Sequence, residues 1–462
     1  MDLTKVIKRA EAEGAQQAEV FFFEGRSLRT LIESKQVKIC EYKVDRGLGL
    51  RVAIKRDTGY CLGFSYSTEL SNEAVEQTVK QAVRVALSKK SDPDFKSFQP
   101  KKPSATVSGL YDPTIPAIAP ENITNLGRRL VEASTSDKWI KTVRGSVGCS
   151  IGETAIENSL GFSGSYDTTS FWVGVSVVAE EASSVGVGWD EYSSRFYNDR
   201  VIEEVASKAK DFSISQLHPK PIKGGIMDLI VAPSSEGLPD LLLYTFVQGL
   251  RADNVQKQQS PFVGKLDQQI GSQKLTIVDD AHIPQALGSK PFDDEGCPTQ
   301  KTVVMEKGVL TNFLHNTYTA NKAGVPNTGN ALRVAPFSAK PKYVLEPLIG
   351  PTNMVIKSGT ISQEKLIDEV KSGIITYGFI GAHTANPQSG DFSILTSGAF
   401  KIENGEIKHP VKEAMIGGNI LGLLKKIELI ANDVKQMPYA WYTEDATLIA
   451  PSILVHGVTI TG

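Results

Sequence analysis

Apolar positions change period several times along the first half of the chain. At residues 4–15 they recur at helical spacing, and from residue 18 they alternate, so that 18–23, 27–34, 37–43, 47–54 and 61–66 read as strands of an antiparallel meander with short polar turns. Ser71-Asn72-Glu73-Ala74 opens a helix to about residue 88, with Ala74, Val75, Val79, Ala82, Val83 and Ala86 on one face. Residues 91–120 turn to Pro, Lys, Ser and Asp and read as a long surface connection. A helix at 121–133, strands at 141–148, 153–158, 163–180 and 182–190, and a helix near 201–213 complete this half.

Two prolines and two glycines at 218–225 mark a domain junction, which divides the chain into an α+β domain at 1–218 and a β-rich domain at 219–462. Beyond it, strands are expected at 275–278, 301–305, 309–315, 354–357, 374–380, 392–396, 399–402, 406–409 and 453–460, with helices at 362–372 and 417–430. Asn404-Gly405 between two of these strands signals a type I′ hairpin. The stretch 239–253 reads as one buried helix, because Leu238, Leu241, Leu242, Leu243, Phe246, Val247 and Leu250 cover nearly its whole circumference and Pro239 sits in the first turn. Strands and helices that do not strictly alternate give an α+β fold class: an N-terminal mixed antiparallel sheet with helices, and a C-terminal β-rich domain around the buried central helix.

Composition narrows the function classes. A formal charge of −2 and a pI near 6.4 provide no basic field for a phosphate backbone, so direct nucleic-acid binding is not expected. The N-terminus lacks the apolar core of a secretory signal, and no run reaches the roughly 18 apolar residues of a spanning helix; a soluble cytoplasmic protein without a membrane partner is expected. Cys40, Cys61, Cys149 and Cys297 are far apart and read as reduced, packed thiols. The six histidines never stand at i,i+4, no Gly-x-Ser-x-Gly elbow or P-loop occurs, and Gly417-Gly418 lacks the Lys that would make it a phosphate cradle.

Four segments carry a resemblance: Gly249-Leu250-Arg251-Ala252-Asp253, Thr276-Ile277-Val278-Asp279-Asp280, Phe292-Asp293-Asp294-Glu295-Gly296-Cys297-Pro298-Thr299-Gln300 and Thr328-Gly329-Asn330-Ala331-Leu332-Arg333. In these the chain resembles the TldD/PmbA family, the so-called modulators of DNA gyrase. The TldD branch of that family carries His-Glu-x-x-x-His just before the Gly-Leu-x-x-Asp, with zinc bound there and a third ligand from a C-terminal Cys. On that pattern the two histidines fall on Leu243 and Gln248 and the Glu on Tyr244, and no cysteine follows Cys297. The resemblance therefore implies the other branch, PmbA or TldE: no catalytic residue, metal ligand or cofactor in this chain, with zinc in a TldD-like partner.

It further implies a subunit that completes the chamber of a TldD/TldE-type zinc metallopeptidase acting on unfolded peptides, inactive without that partner. Asp253, Asp293, Asp294, Glu295, Asn330 and Arg333 are its possible substrate-framing residues. By residue type alone, Asp279, Asp280, Asp293, Asp294 and Glu295 could instead hold a hard cation, act as a general acid/base pair, or cap turns. A stand-alone homodimeric scaffold and a hydrolase working through these acidic loops stay open beside the heterodimer.

Overall fold

A computed structural model describes residues 1–335, 338, 340–439 and 443–462. The first half is built on a six-stranded antiparallel half-barrel sheet in the order β3-β2-β1-β4-β5-β6. Its strands are β1 (Gln17–Glu33), β2 (Gln36–Arg56), β3 (Gly59–Ser67), β4 (Ile140–Asn158), β5 (Ser163–Glu181) and β6 (Ser184–Ser194). Four helices cover one face: α1 (Leu3–Ala12), α2 (Asn72–Ser88), α3 (Pro120–Ser134) and α4 (Ile202–Ser215). Short side-chain caps start the first two, with Asp2 accepting from Lys5 N–H and Ser71 from Ala74 N–H.

Three pairs of strands expected from the alternating pattern are single elements. Glu24-Gly25-Arg26 does not turn the chain: Gly25 lies opposite Asp45 on one side and Gly152 on the other, inside a 17-residue strand. The same correction merges 37–43 with 47–54 into β2, and 141–148 with 153–158 into β4. A central strand gives its backbone partners on both sides, which overrides local turn chemistry. Apolar side chains such as Cys149, Phe171 and Val173 point toward the helices, so Ser150, Ser170 and Trp172, at alternate positions, face the other way.

The second half contains a closed barrel. Strands Ser372–Ile380, Gly225–Val231, Ile453–Thr461, Met415–Asn419 and Asp391–Glu403 pair in that order, and the first pairs back onto the last. Asn404 and Gly405 have φ values of 52° and 77° and join Asp391–Glu403 to Glu406–Pro410, as the hairpin signal required. A second, six-stranded sheet is formed by Val309–Leu310, Lys301–Glu306, Ile277–Asp280, Asn353–Ile356, Thr443–Ala450 and Lys435–Tyr439. The expected helix at 417–430 is instead the end of one strand, a six-residue helix Ile420–Lys425 and the strand Ile427–Ile430. The run of 309–315 is a strand only at Val309–Leu310, with Leu314 making an isolated bridge to Arg251.

The stretch expected as one regular helix over 239–253 is buried but irregular. It runs as α-helix at Leu238–Leu242, widens to a π-turn at Leu243–Val247, resumes at Gln248–Leu250, and breaks at Arg251, whose ψ is 120°. The i→i+5 bond of the π-turn goes from Gln248 N–H to the Leu243 carbonyl. Thr245 Oγ1 donates to the Leu241 carbonyl at 2.5 Å, competing for an acceptor in the helical ladder. The break is fixed from outside, since Leu314 N–H bonds the Leu250 carbonyl and Ala252 N–H bonds the Leu314 carbonyl. Leu243, Phe246, Val247 and Leu250 are fully buried in one apolar cluster with Leu229, Ile394, Ile416 and Ile460 of the barrel.

Cys61, Cys149 and Cys297 are buried free thiols, whereas Cys40, expected to be packed, is exposed on β2. Among the described residues no helix is long and apolar enough to cross a membrane. Phe246 stacks edge-on to Phe262 at 5.5 Å, and Phe246→Ala leaves that ring facing a cavity. The expected loss is roughly 3–5 kcal/mol in a denaturant titration; a loss below about 1 kcal/mol would show that the helix is not a core element.

Candidate functional site

Two neighbourhoods hold the residues singled out by sequence. The first is the irregular helix. Leu243 is fully buried; Tyr244 is partly buried, its ring edge-on to His383 at 6.4 Å. Gln248 follows at the end of the π-turn, where its Oε1 accepts from Arg251 Nη1 at 3.1 Å. The same guanidinium grips Asp253 with two bonds, Nε to Oδ1 at 3.1 Å and Nη2 to Oδ2 at 3.0 Å. Burial pushes the Asp253 carboxyl up, but Arg251 and Lys257 outweigh it and hold the group below its ordinary value. Arg251 thus ties Gln248 to Asp253.

The second is a buried ionic network around the turn 292–298. Its centre is Arg333, with no side-chain exposure, which stacks on Phe21 at 4.5 Å and donates from Nη2 to Glu19 Oε1 at 3.1 Å. Arg333 Nε bonds the Asp294 carbonyl, and Nη1 bonds the Leu345 carbonyl. Glu19 also receives both Nε and Nη2 of Arg51, at 3.0 and 2.7 Å, and Arg51 Nη1 reaches Glu295 Oε1 at 3.0 Å. The alternation of β1 and β2 delivers Glu19 and Arg51 side by side, since they are direct register partners. Burial pushes Arg333 down to about 10 against the pull of Glu19, and pushes Glu19 up against Arg51 and Arg333.

The acidic residues of this turn are occupied. Asp293 accepts three backbone N–H groups, from Glu295 (3.0 Å), Cys297 (2.9 Å) and Ala331 (2.9 Å). Burial and then Glu295 push its carboxyl up, opposed by those donors. Asp294 takes Arg333 N–H at 2.6 Å and Lys290 Nζ at 3.4 Å, and Glu295 Oε2 takes Thr317 N–H at 2.9 Å. Asp279 is bonded by Asn330 Nδ2 at 2.7 Å and by Thr352 through N–H and Oγ1. Asp280 takes His282 N–H and pairs with exposed Lys301. Asn330 Oδ1 has no partner among the described residues.

Asp293, Asp294, Glu295 and Arg333 therefore meet around one turn, whereas the Asn330 side chain goes to Asp279 and the Gly350 carbonyl. Asp253 joins them only as a co-lining residue, with Glu295, Arg51, Phe98, Thr317 and Leu348, of a cavity of about 280 Å³. Glu19, Lys290, Arg195, Lys342 and Asp445 were not identified from sequence. Glu19 carried a faint signal, a carboxylate among Ala18, Val20, Phe21 and Phe22, all buried. Arg51 stands on β2 two residues after Gly49 and four after Gly47. Those glycines serve a close approach: a Cβ at Gly47 would stand 2.5 Å from the Tyr343 ring.

The fold, a half-barrel of antiparallel strands joined to a closed barrel, is shared with a solved structure. That structure is TldE from Thermococcus kodakarensis, with a TM-score of 0.88, 24% identity and all of both chains covered. Family models match in three consecutive parts: PmbA/TldA metallopeptidase domain 1 at residues 18–86, the central domain at 113–217 and the C-terminal domain at 225–462. The chain belongs to the PmbA/TldD family. It is 30% identical, over the whole of both chains, to an uncharacterized protein of Methanocaldococcus jannaschii. With metalloprotease PmbA of Escherichia coli O157:H7 it shares 27% identity over 87% of this chain and 84% of the other.

Removing one member of a buried pair strands the other charge. Arg333→Met is expected to lower stability by roughly 3–5 kcal/mol in denaturant. Glu19→Gln in that background should add less than it does alone, since the two share contacts. Additive losses would mean that the pair is not coupled.

Proposed function

We propose that this chain is the TldE/PmbA-type subunit of a TldD/TldE-type zinc metallopeptidase complex that degrades or processes unfolded peptides in the cytoplasm. In this reading it completes the chamber, while a TldD-like partner supplies zinc and the catalytic Glu. The observation that carries it is the π-turn at Leu243–Val247, with its Gln248-to-Leu243 bond. A π-turn brings positions five apart toward one side of a helix, which regular α geometry would spread by about 140°. The backbone thus has the shape that a His-x-x-x-x-His ligand pair needs, with Leu243 and Gln248 standing at its two ends.

The side chains present do not fit zinc. Leucine offers no donor atom, the Gln248 carboxamide oxygen is taken by Arg251, and a phenol at Tyr244 is too weakly ionised near neutrality to take a proton from water. No step of peptide hydrolysis is assigned to this chain. The acidic turn supports a framing role rather than a catalytic one, because Asp293, Asp294 and Glu295 are bound by backbone N–H groups and cations.

The purified chain, dialysed and analysed for metal, is expected to hold well under one zinc per molecule and to leave an unstructured peptide uncut. The triple variant Leu243→His, Tyr244→Glu, Gln248→His is expected to lose stability, because two polar groups replace core packing, without gaining peptidase activity. About one zinc per chain in the natural protein, or chelator-sensitive cleavage by either form alone, would refute the reading.

A further inference from the structure

We propose that the cavity of about 430 Å³ between the half-barrel sheet and the loop 287–290 receives the C-terminal carboxylate of an extended peptide. The proposal rests on the peptide reading above and specifies which part of the peptide this chain holds. The volume lies within the range of small-ligand pockets, roughly 300–1,000 Å³, and far exceeds what a single oxyanion fills.

Three cations converge on it: Arg195, Lys290 and Lys342 all line the cavity, and the first two are 6% and 5% exposed. Lys290 has Asp294 at 3.4 Å and Lys342 has Asp445 at 2.5 Å. Arg195 pairs with no carboxylate among the described residues. Its Nη1 donates to the Thr169 carbonyl at 3.3 Å, its Nη2 to the Leu287 carbonyl, and its buried Nε has no partner. A guanidinium taken out of water with neutral acceptors and one orphan N–H is a costly arrangement unless an anion joins it.

The surrounding charges do not cancel this excess. Burial pushes Asp445 up, yet Lys342, Lys290 and Arg195 together hold its carboxyl down to about 2. Burial also pushes Glu191, another lining group, toward its neutral form. Exposed Arg26 and Lys43 line the cavity too; Arg26 pairs with Glu24 at 3.0 Å, and Asp45 accepts from the Tyr343 hydroxyl. Arg195 is thus the lining cation whose hydrogen bonds go only to neutral acceptors.

The cavity walls indicate what carries the negative charge. Ser150 and Ser170, whose hydroxyls bond each other at 2.7 Å, and Thr168, whose hydroxyl reaches the Gly152 carbonyl at 3.4 Å, line the cavity with Gly174 and Trp172. A polar trough of hydroxyls and glycines suits a main chain laid along the strands, and the end at Arg195, Lys290 and Lys342 then suits the terminus of that chain. A free inorganic anion would use the cations and leave the trough empty.

The test is calorimetric titration of the purified full chain with an acetylated Gly/Ser pentapeptide as the free acid, the same pentapeptide as its C-terminal amide, and inorganic phosphate. The expected result is at least a tenfold preference for acid over amide, reduced to about one in Lys342→Gln and in Arg195→Met. Should Arg195→Met fail to fold, the acid-to-amide ratio of the natural chain and of Lys342→Gln decides. Equal binding of acid and amide, no binding of either, a preference that survives Lys342→Gln, or phosphate binding as tightly as the acid peptide would each overturn the proposal. Partner dependence is read separately: a chain that pairs with a TldD-like protein but shows no acid preference loses only this assignment.

Discussion

The buried guanidinium of Arg333 is the constraint on which the two halves depend. It belongs to the second half, yet its ring partner Phe21 and its carboxylate Glu19 come from the first strand of the other half. Through Glu19 it reaches Arg51, and through Arg51 it returns to Glu295 in its own half. Such a circuit is stable only when every member is present, because each charge was desolvated on the assumption of the others. It also fixes the turn 292–298, and with it the loop whose Lys290 enters the large cavity. The apolar cluster of Phe21, Ile156, Phe162, Phe292 and Tyr343 crosses the same boundary.

Local chemistry was legible where it acts locally. The helix expected at 4–15 forms at Leu3–Ala12, and the helix opening at Ser71 and the Asn404-Gly405 hairpin have their expected form; all need only near neighbours. What sequence could not convey is the effect of distant partners. Glu24-Gly25-Arg26 has turn chemistry, but pairing with residues near 45 and 152 keeps it extended. The stretch at 417–430 has helical periodicity, but Ile427–Ile430 finds a ladder on Ile453–Thr461. An all-round apolar helix carries no periodic signal of a kink, so the π-turn at Leu243 was hidden. Arg195 and Lys342, separated from Lys290 by scores of residues, meet it only through tertiary packing.

The acidic loops show the same limit in the site itself. Residue type left Asp293, Asp294 and Glu295 open to cation binding, acid/base work or turn capping, and the hydrogen bonds divide them. Asp293 organises its turn through three backbone donors, Asp294 shares itself between Arg333 and Lys290, and Glu295 joins Arg51 to Thr317 N–H. Leu243, fully buried at one end of the π-turn, packs as a core residue.

Reconstitution is the most direct measure of the central claim. The purified chain is mixed with a TldD-like protein that carries His-Glu-x-x-x-His, and cleavage of an unstructured peptide is followed for each alone and for the mixture. The account predicts a stable heterodimer whose activity needs both chains, is abolished by a chelator and is restored by zinc. Cleavage by this chain alone, or a partner whose activity and mass are unchanged by its addition, would contradict it.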